Sequence, residues 1–105
     1  MNDRFDFESM DVYRVALEVA RWVRDTRWPS PARRLQDEAA RASQSMVLNI
    51  AEGRMRGGLP GRNHMRIARG SAGEVMAVLD LVALPDAEAQ QAKLRRVGAM
   101  LRKLA

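Results

Sequence analysis

Apolar positions recur at three-and-four spacing in four separate stretches of the chain, and no stretch alternates as a strand would. In the first, about 9–27, Val12, Ala16, Val19, Ala20 and Val23 form a stripe that Tyr13 and Leu17 widen, while Asp11, Arg14, Glu18, Arg21 and Asp25 fall on the other side. Ser9 or Asp6 is expected to cap its start. Trp28-Pro29-Ser30-Pro31 ends it, because proline disfavours the helical region in the residue before it. The second stretch, about 31–55, opens with Ser30 as expected cap and Pro31 at the first helical position, and its apolar line is Leu35, Ala39, Ala42, Met46 and Ile50. Gly57-Gly58-Leu59-Pro60-Gly61 reads as a loop. The third stretch, about 62–83, carries Met65, Ala68, Ala72, Val75, Met76, Leu79, Val82 and Ala83 on one face. Gly70 and Gly73 lie inside it at ~1 kcal/mol each against alanine, which points to close approach of another helix. Leu84-Pro85-Asp86 closes it and supplies a cap for the fourth stretch, about 87–104, where Leu94, Val97, Leu101 and Leu104 stand at a/d spacing.

Four amphipathic segments with short connections predict an all-α, antiparallel up-down-up-down four-helix bundle, a single domain over residues 1–105. A chain of this length can bury one modest core. All five aromatic residues lie in the first 28 positions, so the rest of that core must be aliphatic, which suits helix packing. With no cysteine there is neither a disulfide nor a thiolate metal site. No apolar run follows Met1-Asn2-Asp3-Arg4 as in a signal peptide, and no window approaches the ~20 apolar residues of a membrane span. The expected location is the cytoplasm, with no membrane partner.

Charge narrows the picture further. The net charge of +5 is unevenly spread: Arg54, Arg56, Arg62, Arg66 and Arg69 occupy an interval with no acid, and Lys93, Arg95, Arg96, Arg102 and Lys103 follow Glu88 with none either. Arg62, Arg66 and Arg69 share a helical face at i, i+4, i+7. Guanidinium forks match phosphate geometry, so this cluster, with His64 as a neighbour, is the candidate nucleic-acid contact. The plainer reading is a solvated face with intersubunit ion pairs. The glycine-rich turn is no phosphate cradle, since it lacks the Gly-Lys-Ser/Thr ending and a preceding strand.

Polar residues gather at two further places. Ser45, Asn49 and Glu52 fall on one face of the second helix, with Arg41 one turn earlier, and Ser71 and Glu74 share a face of the third. Two carboxylates with an amide and hydroxyls are compatible with acid–base chemistry or a cation. The structural alternative is a buried, mutually satisfied polar layer of Arg41, Ser45, Asn49, Glu52, Ser71 and Glu74, and it is preferred because no metal-ligand spacing accompanies the carboxylates. Di-metal bundles need two Glu-x-x-His pairs, and this chain has one histidine. His64 as a catalytic base would lack both an assignable nucleophile and an orienting acid. No catalytic residue, cofactor, metal or small-molecule substrate is therefore expected. Trp22 lies beside the main stripe and is assigned to an intersubunit contact rather than to base stacking.

Three runs together resemble a known family. They are Phe7-Glu8-Ser9-Met10-Asp11-Val12-Tyr13-Arg14-Val15-Ala16, then Arg41 to Gly53 ending in Asn49-Ile50-Ala51-Glu52-Gly53, then Ala68-Arg69-Gly70-Ser71-Ala72-Gly73-Glu74. Their order and spacing resemble the four-helix-bundle intervening-sequence proteins, first noticed as reading frames inside bacterial 23S ribosomal RNA genes. The resemblance covers roughly residues 7–84, and the fourth segment matches poorly. It implies an up-down-up-down bundle that assembles as a homopentamer. A related branch, the accessory protein of diversity-generating retroelements, forms a basic pentameric barrel that binds nucleic acid and a reverse transcriptase. Most members have no established activity. The expectation for this chain is a non-enzymatic oligomeric binding or scaffold protein contacting RNA or DNA. The alternative is a structural assembly protein whose partner is another protein.

Overall fold

A computed structural model describes residues 3–105. Four α-helices account for most of the described chain: α1 (Asp11–Asp25), α2 (Arg33–Arg56), α3 (Gly58–Leu81) and α4 (Ala87–Leu104). Helix α1 packs on α2 and α4, and α3 packs on the same two, so the four surround one core. The chain is an all-α four-helix bundle. The anticipated stripes point inward: Val12, Ala16, Val19 and Val23 from α1, Ala39, Ala42, Met46 and Ile50 from α2, Met65, Ala68, Ala72, Val75 and Leu79 from α3, and Leu94, Val97 and Leu101 from α4. Leu104 breaks its expected a/d line and stays exposed. Trp28, in the connection after α1, is 4% exposed and closes one end of the core.

Helix ends depart from the sequence reading. Neither Ser9 nor Asp6 caps α1: both lie in a 3-10 turn (Asp6–Ser9), Ser9 Oγ donates to the Asp6 carbonyl at 3.0 Å, and Met10 takes the cap position with no side-chain bond. Phe7 anchors this turn, stacked on Phe5 and edge-on to Tyr13 at ring-centre distances of 5.7 and 4.9 Å. Ser30 does not cap α2 either. A second 3-10 turn (Ser30–Ala32) takes up Pro31, and α2 starts only at Arg33. Asp86 stands before α4 as expected, but in a left-handed conformation (φ 65°) and without a capping side-chain bond. The end of α1 is capped from outside, because Gln36 Nε2 on α2 donates to the carbonyls of Val23 and Thr26, each at 3.1 Å.

The expected loop Gly57–Gly61 shrinks to one residue. Gly57 is the one residue between the helices, the chain reverses through positive φ at Gly57 (65°) and Gly58 (60°), and Leu59, Pro60 and Gly61 belong to α3. Proline is admissible there because the first-turn N–H groups have no intrahelical acceptor. The two helices then diverge from a very tight crossing: a Cβ on Gly53 would lie 2.8 Å from the Gly61 carbonyl oxygen, and one on Gly61 would lie 2.5 Å from that of Gly53. Only glycine fits both positions. Gly70 and Gly73, expected at such a crossing, are not at one. A Cβ on either would meet nothing within 4 Å, as would one on Gly98 of α4.

Candidate nucleic-acid interface and polar seam

Folding about Gly57 brings positions roughly equidistant from it into contact, Gly53 with Gly61, Asn49 with His64, and Ser45 with Ser71. The result is a polar seam between α2 and α3. His64 Nδ1 donates to Asn49 Oδ1 at 2.7 Å, because a carboxamide oxygen can only accept. Asn49 Nδ2 donates to the Ser45 carbonyl at 2.8 Å and to Ser45 Oγ at 3.2 Å, and Ser71 Oγ donates to Ser45 Oγ at 2.8 Å. Every polar atom of the Asn49 side chain is thus engaged, at a half-buried position. His64 was expected beside the arginines. It lies instead on the seam.

The six residues expected to form one buried polar layer do not. Ser45, Asn49 and Ser71 come together, half-buried. Arg41 is exposed and pairs with Glu38 at 2.6 Å. Glu52 is half-exposed and accepts from Arg56 Nε, one turn on. That hydrogen bond and the charge of Arg56 hold the Glu52 carboxyl below the ordinary glutamate value, and nearby His64 adds to the effect. Glu74 is exposed, with no ion-pair partner among the described residues. The reason is angular. An α-helix turns about 100° per residue, so Ser45 stands a full quarter-turn from its buried neighbour Met46, and the seam opens on the outer side of the α2–α3 pair.

The arginine cluster is split by the fold, although all five members are exposed. Arg54 and Arg62 flank a cleft of about 160 Å³ at the hairpin end, lined by the four glycines of the turn region, Met10, Met65 and Leu104. Arg54 has one remote partner, Asp6 at 4.0 Å, and Arg62 has no ion pair among the described residues. Arg56 turns to the opposite side with Glu52. Arg66 and Arg69 line a groove of about 670 Å³ between α3 and α4, and Arg69 Nε donates across it to the Gly98 carbonyl at 3.3 Å. Trp22 is half-buried and packs against the core rather than standing free.

The family model described as "23S rRNA-intervening sequence protein" matches residues 8–102. The chain belongs to that family. The match runs through α4, which the resemblance in the first three segments had left outside. Among curated proteins none matches the sequence. Among the described residues no helix of this family member is long and apolar enough to cross a membrane, and no group of three or more His, Asp or Glu side chains is placed to hold a metal ion.

Three features of the structure were hidden in the sequence: His64 on the seam, Gln36 as an external cap, and the Gly53–Gly61 crossing. A signal for two of them existed. Once the turn is placed at Gly57, reflecting the sequence about it sets Gly61 opposite Gly53 and brings His64 within one residue of the position opposite Asn49.

Proposed function

We propose that this protein is a non-enzymatic, self-associating binding protein that contacts RNA or DNA through the hairpin end of its bundle. The observation that carries the reading is the pair Arg54 and Arg62, facing a glycine-lined cleft with a single carboxylate in range, Asp6 at 4.0 Å from Arg54. Guanidinium groups in that state release counterions when they meet phosphates, and copies of the cleft arrayed in an oligomer such as a homopentamer would add avidity. The cytoplasm is the compartment that suits such a partner. No catalytic role follows from the seam: its histidine is bound to an amide and its hydroxyls to one another, so no nucleophile–base pair exists there.

The second reading is an assembly protein whose arginines serve subunit contacts. Arg66 and Arg69 favour it, since they line an apolar-floored groove rather than the open cleft.

Fluorescence anisotropy with labelled ~20-nucleotide RNA and DNA separates the two. At about 50 mM salt the wild type is expected to bind, with log K falling linearly in log salt. The Arg54→Ala, Arg62→Ala double variant is expected to lower that slope by nearly two. Absence of binding at about 50 mM salt removes the nucleic-acid reading and leaves the assembly one.

A further inference from the structure

Helix α3 carries two unsatisfied features on different sides. One is the α3–α4 groove, where Gly70, Gly73 and Gly98 leave open space above Ala72, Met76 and Leu94, with Arg66 on its rim. Arg66 has no ion pair among the described residues. The other is the outer face of the α2–α3 hairpin. Of the seven large apolar side chains exposed among the described residues, five belong to this hairpin: Leu48, Met55, Leu59, Ile67 and Leu81, at 66%, 60%, 70%, 44% and 71% exposure. By helical phase, Leu48 and Met55 fall beside Glu52 on α2, and Ile67 falls beside Glu74 on α3, so the ridge is apolar with an unpaired carboxylate.

We propose that these two surfaces are the two halves of one contact: the hairpin ridge of one copy docks into the α3–α4 groove of the next. Three observations converge on a second copy of this chain as the occupant. The ridge is a convex apolar surface and the groove a concave one. An exposed α3 carboxylate without a partner stands on the first, and an α3 guanidinium without a partner stands on the second. The glycines of the groove give up helix stability at positions where no atom of their own chain needs the space, which makes sense where another helix must lie close. Because ridge and groove are different patches, the contact is heterologous, so copies add head to tail and close into a ring when the rotation allows. The inference rests on the self-association proposed above and assigns its surface.

The test is sedimentation velocity with charge reversal. Arg66→Glu and Glu74→Arg, each alone, should weaken assembly by about thirtyfold or more, as expected for a central contact. The double variant should restore it. Gly73→Leu should also dissociate the assembly while keeping the helical circular dichroism of the wild type, because its side chain meets no intrachain atom at Cβ. If the wild type assembles and Gly73→Leu or the single reversals assemble equally well, this surface assignment is overturned while self-association stands. Failure of the double variant to restore what the singles lose overturns the Glu74–Arg66 pairing and with it the docking stated here. A wild type that stays monomeric to about 100 µM overturns both self-association and the inference.

Discussion

Asn49 makes more side-chain hydrogen bonds than any other residue of the seam. It receives one from His64 and gives two to Ser45, so its amide ties α2 to α3 and anchors the Ser45 hydroxyl that Ser71 also reaches. Removing it leaves polar groups half-buried without partners, and such losses cost about 1–3 kcal/mol. Asn49→Leu should therefore lower the urea-unfolding free energy by that amount, with an unchanged m-value. An unchanged midpoint would show that the seam contributes nothing net. The preferred sequence reading of Asn49 as a satisfied polar group agrees with its contacts. Glu52 and Glu74 were misplaced because a sequence gives a residue's phase on its own helix but not how far the next helix covers that phase. Here α3 covers the arc as far as Asn49 and stops short of Glu52.

At the scale of elements the α2–α3 hairpin governs the structure. A single linking residue leaves no slack, so the register of α2 against α3 is set by the crossing of Gly53 over Gly61. A methyl group at either site would press on a carbonyl oxygen of the other helix, and backbone cannot move aside as a flexible side chain can. Gly61→Ala should lower the melting temperature, at a cost of about 1–3 kcal/mol, whereas Gly70→Ala should raise it slightly, since that position is open and alanine is the better helix former. Thermal unfolding of the two variants checks the contrast, and equal shifts would contradict the crossing. Composition and patterning made these glycines look alike. Only the placement of a neighbouring helix distinguishes those that permit contact from those that leave a groove.

For the molecule as a whole, charge and apolar surface are distributed in a way one copy does not use. The arginines at the hairpin end are scarcely neutralised, and the α2–α3 hairpin exposes five large apolar side chains to solvent. If copies associate, the folded state gains stability by mass action, and the melting temperature should rise as protein concentration is raised from about 1 to 100 µM. A melting temperature independent of concentration would count against assembly. The arginines near the hairpin therefore fall on two surfaces, the cleft at Arg54 and Arg62 and the groove at Arg66 and Arg69.

The spacing of apolar residues alone determined the number of helices, their approximate extents and the greater part of the core, because a 3.6-residue period and the cost of exposing aliphatic surface act within each segment independently. Three segments' motifs were also enough to indicate the family. Tertiary structure decided everything that depends on two segments at once: a turn of one residue instead of five, His64 bonded to an amide on another helix, five arginines parted between surfaces, and two kinds of glycine. Those outcomes depend on the rotation and register of one helix against its neighbour, set by close packing at Gly53 and Gly61.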